Sequence, residues 1–324
     1  MPAPSSRSRR SRLPAWLAAL LAACIGATVP LQSRVNGELG DRLADPVAAA
    51  VVSFAGGLAV LLVVALAVPR VRRGLRRLPG AVRRRELPPG YLLAGTVGGL
   101  LVLTQSAVVA VVGVAVFTVA VVAGQTVSGL LTDAVGFAQD VRRRPTRPRL
   151  VGAGLVLLAV GLSASASLTG DRPWTQVLLP ALLPLLAGLL TGFQHAANAR
   201  IGAVGGSPLT ATVTNFVAGM VALLLTAAVR GRGLPAALPQ EWWLYTGGLY
   251  GIVFIAGSAA LIPHTGVLVL GLGSIAGQLV ASLLLDVLAP VSGSAVGPRT
   301  VVGTLLALAA IMVASVPPHR FRRG

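Results

Sequence analysis

The sequence predicts an all-α integral membrane protein, with ten transmembrane helices arranged as a five-plus-five inverted-topology repeat. Three observations support this fold class. The 324 residues are 55% hydrophobic and only 11% charged, whereas a soluble domain carries about 25% charged residues. Ten apolar stretches are long enough to cross a bilayer. Polar and small residues of the first half of the chain recur in the same order in the second half.

The ten predicted spans use almost the whole chain and leave no room for a soluble domain. They cover residues 14–36, 46–68, 90–110, 114–136, 150–168, 175–198, 208–229, 242–262, 266–288 and 299–317. The chain therefore divides into a basic tail (1–13), repeat 1 with helices 1–5 (14–168), repeat 2 with helices 6–10 (169–317) and a second tail (318–324). Asp45-Pro46 and Ser207-Pro208 each offer an N-cap side chain followed by proline, and so mark the start of the second helix in each repeat.

The repeat is visible as matched residues. The positions 162 residues after Gln32, Asn36, Gly40, Pro46, Phe54 and Gly57 hold Gln194, Asn198, Gly202, Pro208, Phe216 and Gly219. The positions 153 residues after Gly113, Gly124, Gln125 and Asp133 hold Gly266, Gly277, Gln278 and Asp286. An odd number of spans in each repeat predicts that the second copy lies upside down, as in secondary transporters.

The formal net charge of +18 comes from arginines concentrated in the tails and in predicted loops, one of which is the segment 70–85. With the N-terminus inside, 21 arginines fall on inside segments and 6 on outside segments. By the positive-inside rule both termini are therefore expected in the cytoplasm. A nucleic-acid partner is not expected, because basic residues do not alternate with aromatic residues on a soluble fold.

The N-terminus resembles a signal peptide, and Leu21 to Cys24 resembles a lipoprotein cleavage box. We expect a retained span instead, because the apolar run continues past Cys24 and its repeat partner lies deep in the chain. Cys24, the only cysteine, is expected to pack as a small hydrophobic residue.

Amide side chains inside the spans are the main candidates for a binding site, because polar groups are costly in hydrocarbon. The candidate substrate-binding residues are Gln32, Asn36, Gln125, Gln194, Asn198, Asn215 and Gln278. A spacing of four puts Gln32 and Asn36 on one helix face. The alternative for these amides is that they only hydrogen-bond neighbouring helices.

Asp133 and Asp286 lie near helix C-termini, where the helix dipole disfavours negative charge. Their repeated placement makes them candidates for proton coupling, although both could be interfacial carboxylates that reach water. Glu38 and Arg200 are equivalent positions with opposite charges, and are either gates on opposite faces or ordinary loop charges.

The sequence gives no sign of an enzyme. It has no lysine and hence no glycine-rich phosphate loop ending in Lys-Ser or Lys-Thr. No cluster has metal-binding spacing, and no serine elbow accompanies a base. Neither a metal nor a cofactor is therefore expected.

Four stretches resemble the YdcZ-like family of the drug/metabolite transporter superfamily. They are LQSRVNGELGDRLADPVAAAVVSFAGG, its echo FQHAANARIGAVGGSPLTATVTNFVAG, and the blocks VVAGQTVSGLLTD and SIAGQLVASLLLD. The resemblance covers residues 14 to 317 and implies five-plus-five helices, an inner-membrane location and an exporter role. It also implies that four helices of each half line a central cavity. The family pattern has a basic residue at one equivalent position of each repeat. Arg200 keeps it in repeat 2, whereas Glu38 replaces it in repeat 1.

The leading hypothesis is a secondary active transporter that exports a small solute across the inner (plasma) membrane by alternating access. Its partners would be a small-molecule substrate and membrane lipids, and a homodimer is one oligomeric state that the sequence allows. The alternatives are a membrane-embedded enzyme or lipid-handling protein, and a passive channel. Counterflow experiments separate a carrier from a channel.

Overall fold

The computed structural model describes residues 14–135, 146–165, 175–231, 233, 235, 237–290 and 297–314. The two tails, 1–13 and 318–324, and their arginines lie outside the described residues. The helices of the described part are α1 (Ala15–Leu43), α2 (Pro46–Ala67), α3 (Pro69–Arg83), α4 (Gly95–Val112), α5 (Val114–Val135), α6 (Arg147–Ser165), α7 (Thr175–Gly205), α8 (Pro208–Arg230), α9 (Gly247–Leu288) and α10 (Pro298–Ala314). Short 3-10 turns, Pro89–Ala94 and Trp242–Tyr245, precede α4 and α9.

The helices agree with a membrane protein. Within the described residues, seven helical segments are long and apolar enough to span a bilayer, and a shorter apolar helix covers Pro298–Val313. Most predicted spans match a helix to within a few residues. The largest extensions are at α1 and α7, which continue for about two more turns past their predicted ends, at 36 and 198.

The structure has one helix, α9, where the sequence predicts two spans, 242–262 and 266–288. A straight helix of its 42 residues would be about 63 Å long, twice the thickness of a hydrocarbon core. Its packing shows that it is not straight. Leu261 and Leu270 share one buried cluster with Ala22 of α1, and the contacts on either side of them show that the chain reverses direction.

The two parts of α9 run in opposite directions along α1. The first part is antiparallel to α1, since Gly247 contacts Asn36 whereas Gly257 contacts Ile25. The second part is parallel to α1, since Gly273 contacts Ala22 whereas the carbonyl of Ala289 accepts a hydrogen bond from Arg34. By packing, α9 therefore acts as two antiparallel segments.

In repeat 1 the corresponding reversal is made by Gly113, between α4 and α5. Its φ of 85° lies in the region that disfavours side chains, which explains why glycine ends α4 there. The amide of Gly113 still donates to the carbonyl of Val109 and closes the last turn of α4.

The arginine-rich segment 70–85 was expected to be a loop, and that prediction is wrong. It forms α3, with Val71, Gly74, Leu78 and Ala81 buried on one face and arginines on the other. This apolar face packs on repeat 2, where Leu78 and Ala81 share a cluster with Ile201. The spacing of three and four between buried residues is typical of an amphipathic helix.

The two predicted helix starts have different caps. Asp45 accepts hydrogen bonds from the amides of Val47 and Ala48, at 3.0 and 3.1 Å, and so caps α2 as predicted. Ser207 has the extended backbone of an N-cap before Pro208, but its side chain makes no capping hydrogen bond. The predicted start of α8 is confirmed, whereas the expected cap bond is absent.

Glycines at equivalent positions bring the two repeats into backbone contact. A Cβ on Gly26 of α1 would overlap the carbonyl oxygen of Ser274 on α9, and a Cβ on Gly188 of α7 would overlap that of Val121 on α5. Ser274 lies 153 positions after Val121, and Gly188 lies 162 positions after Gly26. The same contact is therefore made twice, once by the first helix of each repeat.

Cys24 was expected to pack as a small hydrophobic residue, and the structure places it at the surface among apolar residues. Its side chain is exposed and lines a shallow apolar groove between α1 and the second part of α9. The wall of the groove is made of Ala23, Ala27, Ala276, Gly277 and other small or aliphatic residues. Cys24 therefore faces outward, where the surface of a membrane protein meets lipid.

Candidate functional site

The amides of repeat 2 form a continuous hydrogen-bonded chain. Gln194 Nε2 donates to Asn215 Oδ1 at 3.2 Å, and Asn215 Nδ2 donates to Asn198 Oδ1 at 3.0 Å. Gln194 and Asn215 are 7% and 2% exposed. The structure thus brings together three of the four candidate amides of this repeat, with Gln194 and Asn198 on α7 and Asn215 on α8.

The amides of repeat 1 are arranged differently. Asn36 Nδ2 donates to Gln105 Oε1 at 2.7 Å, and Gln105 Nε2 donates to Ser33 Oγ at 3.0 Å. Asn36 Oδ1 and the nearby Ser53 Oγ are buried and have no hydrogen-bond partner in the part of the chain that the structure describes. Gln32 is 7% exposed and lies one turn from Asn36.

Gln105 is the residue that the sequence analysis missed. It is fully buried on α4 and links two side chains of α1. The repeat gave no signal for it, because its equivalent in repeat 2 is Ser258. One feature of the sequence could still have identified Gln105: a polar amide inside an apolar helix is costly and so indicates a structural or functional role.

Two phenylalanines at equivalent positions separate the two amide groups. Phe54 of α2 and Phe216 of α8 lie with their ring centroids 5.0 Å apart. A Cβ on Gly98 would lie 2.9 Å from Gln194 Nε2 and 3.8 Å from Phe54. At the equivalent Gly251, the corresponding distances to Gln32 Nε2 and Phe216 are 2.9 and 3.4 Å. The centre of the bundle is thus an aromatic pair with one amide group on each side.

The remaining candidate amides do not make contacts with these two groups. Gln278 is buried on α9, and its Nε2 donates to Ser274 Oγ of the same helix at 3.4 Å while its Oε1 has no partner among the described residues. Gln125 is half-buried on α5. The side chain of Asp133 lies outside the described residues.

Asp286 is held by the start of a helix in the other repeat. Its two carboxylate oxygens accept hydrogen bonds from the amides of Val114 and Ala115, at 3.0 and 2.7 Å. The C-terminal end of its own helix disfavours this negative charge. The N-terminus of α5 offsets that, because its dipole and free amides favour a negative charge.

One end of the bundle, which we call the Asp45 end, carries ion pairs between the repeats. Asp45 pairs with Arg230 at 2.6 Å. Arg42 pairs with Glu241, and its guanidinium lies 5.9 Å from the centroid of the Trp243 ring. Glu38 accepts from Arg34 and Arg42, at 2.8 and 2.9 Å. Glu38 therefore orients Arg42, which connects the end of α1 to the segment before α9.

Two carboxyl groups of this end have lowered pKa values. Burial raises the pKa of Asp45, but the hydrogen bonds from Arg230 and from the first amides of α2 outweigh burial, so the net direction is downward. The hydrogen bond from Arg42 lowers the pKa of Glu241. Both pairs are therefore charged at neutral pH.

The Asp45–Arg230 pair is expected to stabilise the protein without any pH dependence between pH 5 and 8. The pKa of Asp45 in the folded state lies below its unfolded value of about 3.9. The charged pair therefore stabilises the folded state at every pH above about 3.9, and this stabilisation is lost as the pH falls through the folded-state pKa. Asp45→Asn keeps a capping side chain and removes only the charge. We expect thermal unfolding to show wild type more stable by about 1 kcal/mol at pH 5–8, with the difference vanishing below pH 4. A difference that changes between pH 6 and 7 would contradict this assignment.

The opposite end of the bundle is closed by Arg200. Its Nε and Nη2 both donate to the carbonyl oxygen of Glu86, at 3.2 and 2.9 Å. Beside it, the face of α3 covers Ile201 and Ala211. Arg200 thus contacts repeat 1 at this end, whereas Glu38, at the Asp45 end, pairs with Arg34 and Arg42 of its own repeat.

Comparisons with known proteins agree with this architecture. A family described as "Putative inner membrane exporter, YdcZ" matches residues 17–162 and 179–313, one segment in each repeat. A solved structure, described only as "Crystal structure of protein", is 18% identical, with a TM-score of 0.57 over 94% of this chain and 98% of the other. This likeness supports the fold alone. No curated protein matches.

The family match covers nearly the whole chain and has the two-part pattern of the repeat. Together with the apolar spanning helices, it makes the protein a multi-pass protein of the inner membrane and favours transport over catalysis. The chain belongs to the family described as "Putative inner membrane exporter, YdcZ".

Proposed function

We propose that the protein is a secondary carrier that exports a small solute by alternating access between two inverted five-helix repeats. Ten spans and cytoplasmic termini belong to this proposal. The observation that carries it is the pair of amide groups, one from each repeat, on either side of Phe54 and Phe216. Amides donate and accept hydrogen bonds, so such a centre suits an uncharged polar solute.

The helix directions support inversion. The second part of α9 is parallel to α1 and antiparallel to α5, because Asp286 near its end contacts the start of α5. In turn, α5 is parallel to α7, since Val121 contacts Gly188 whereas Ser128 contacts Gly192. It follows that α1 and α7, the first helices of the two repeats, run in opposite directions.

The contacts at the two ends suggest the gates. Arg42–Glu241 and Asp45–Arg230 join the repeats at the Asp45 end, and Arg200 joins them at the other end. Exposed or half-buried ion pairs contribute little stability each, so they can break and re-form in a transport cycle. Alternating access requires that the two sets open in turn.

A reversible cross-link tests the gate. In a Cys24→Ser background, Arg42→Cys and Glu241→Cys would be joined with a bis-methanethiosulfonate reagent in proteoliposomes. The transported solute would come from a thermal-shift screen of metabolites and drugs. We expect the cross-link to reduce trans-stimulated exchange at least tenfold, and reduction of the cross-link to restore it.

The matched control joins Arg72→Cys to Arg76→Cys, one turn apart on the exposed face of α3 within repeat 1. This link is expected to leave exchange unchanged. Flux without trans-stimulation would support the passive channel, and chemical conversion of the solute would support the enzyme. Full exchange with the repeats cross-linked at the Asp45 end would contradict the gate.

A further inference from the structure

The two amide groups are equivalent in sequence but not in hydrogen bonding. Gln32, Ser53 and Asn36 of repeat 1 correspond to Gln194, Asn215 and Asn198 of repeat 2. In repeat 2 the carboxamide of Asn215 bridges the other two, accepting from Gln194 and donating to Asn198. In repeat 1 the bridging position holds a serine, which has no carboxamide.

The atoms that the bridge would join are left open in repeat 1. Asn36 Oδ1 and Ser53 Oγ are buried and unpartnered, in residues that are fully buried. Gln32 Nε2, the equivalent of the donor in Gln194, lies beside Gly251, and no hydrogen bond joins it to another of the described residues. A donor and an acceptor thus stand where repeat 2 holds a complete chain. Unpaired polar groups in an apolar bundle cost free energy that a ligand can recover.

We propose that repeat 1 binds the neutral amide group of a solute, either a primary carboxamide or a lactam, between Gln32 and Asn36. The inference rests on the proposed transport function and names its substrate class. The solute's carbonyl oxygen accepts from Gln32 Nε2, and its N–H donates to Asn36 Oδ1. The solute thereby supplies the group that Asn215 supplies in repeat 2.

The surroundings favour an uncharged, planar molecule. The described side chains that contact the gap are amides, hydroxyls and the Phe54–Phe216 pair, none of which carries a charge. Phe216 lies beside Gly251, the residue that contacts Gln32. A ring attached to the amide can therefore pack against a phenyl face.

Gly247 covers the gap. A Cβ on Gly247 would overlap Asn36 Oδ1 and lie 2.7 Å from Ser53 Oγ, so the helix backbone sits directly on both atoms. Gly247 begins α9 six residues after Glu241, the partner of Arg42. Opening of the Asp45 end would lift the start of α9 and admit the solute.

Binding of benzamide and N,N-dimethylbenzamide to the purified full-length protein in nanodiscs, measured by calorimetry, tests the inference. The dimethyl compound keeps the ring and carbonyl but lacks the N–H. We expect benzamide to bind at least about tenfold more tightly than the dimethyl compound. The dimethyl compound cannot donate a hydrogen bond to Asn36 Oδ1, which therefore stays unpaired. Ser53→Asn, which completes the chain internally, is expected to weaken benzamide binding by a similar factor.

Two further variants keep the test decisive if Ser53→Asn does not fold. Gln32→Met removes the donor with little change of shape, and should weaken benzamide binding about tenfold. Asn215→Ser opens the same gap in repeat 2, and should raise the stoichiometry from one benzamide to two. Equal binding of the two compounds, or wild-type affinity in both Ser53→Asn and Gln32→Met, would overturn the inference. So would a lack of binding to benzamide, nicotinamide and uracil alike.

The results also separate this inference from the transport proposal. Trans-stimulated exchange of a solute without an amide N–H, unchanged by Gln32→Met, would contradict the amide pocket and support the carrier. Benzamide binding that depends on Gln32, without trans-stimulated exchange of benzamide, would support the pocket and contradict the carrier.

Discussion

Replacing Asp286 by alanine is expected to lower the free energy of unfolding by about 3 kcal/mol, since two hydrogen bonds to a charged group are lost. The carboxylate accepts from Val114 and Ala115 at the start of α5. After the change, these two amides would be buried near Gly113 without a partner. Unfolding in mixed SDS and detergent micelles, followed by circular dichroism, measures the difference.

Asp286→Asn separates this role from proton coupling. Asparagine keeps an oxygen for one of the two amides, so we expect a loss of about half as much, 1.5 kcal/mol. If the carboxylate only anchors α5, the pH dependence of transport in Asp286→Asn vesicles stays that of wild type. A flattened pH profile with unchanged stability would instead make Asp286 a proton-coupling residue and contradict the anchor.

The control for Asp286 is Glu86→Gln. Glu86 pairs with Arg84 at an exposed position within one repeat, and such pairs contribute at most about 1 kcal/mol. Its substitution should change unfolding by much less than either change at Asp286. An equal loss in both positions would mean that the unfolding assay reports net charge rather than local contacts.

The sequence predicted the repeat and most helices because the information is local. Apolar length predicts a span, and Asp45-Pro46 specifies a helix start that the structure confirms. The helix α3 was missed because its arginines dominate the composition, while only Val71, Leu78 and two small residues mark the buried face. The reversal within α9 was predicted as a break and is visible only in its packing.

The site was predictable only where the repeat marked it. Gln194, Asn198 and Asn215 were predicted and lie in one hydrogen-bonded chain. Gln105 was not, because repeat 2 holds a serine in its place. The partner of Asp286 lies 171 and 172 residues away in the chain, so spacing alone could not identify it. The difference between Ser53 and Asn215 became meaningful only when the hydrogen bonds of both repeats could be compared.

Replacing Gly26 by valine is expected to prevent the two repeats from packing. A Cβ at this position would overlap the backbone of Ser274, and no side-chain rotation can relieve a clash with a carbonyl group. Overpacking of a close contact costs about 1–3 kcal/mol or more, and we expect the upper end. Size-exclusion chromatography should show a loss of the monodisperse folded peak, and unfolding in SDS should begin at a lower detergent fraction.

Gly188→Val is the matched test, because it places the same clash at the equivalent contact with Val121. Gly154→Val on α6 is the control, since a Cβ there would meet nothing within 4 Å. If the first helix of each repeat packs against the other repeat in the same way, Gly26→Val and Gly188→Val cause similar losses and Gly154→Val causes little. A loss confined to one of the two would show that only one interface holds the halves together. The carrier proposal would then lose its symmetry, since a rocking motion about a central site needs both interfaces to be equivalent.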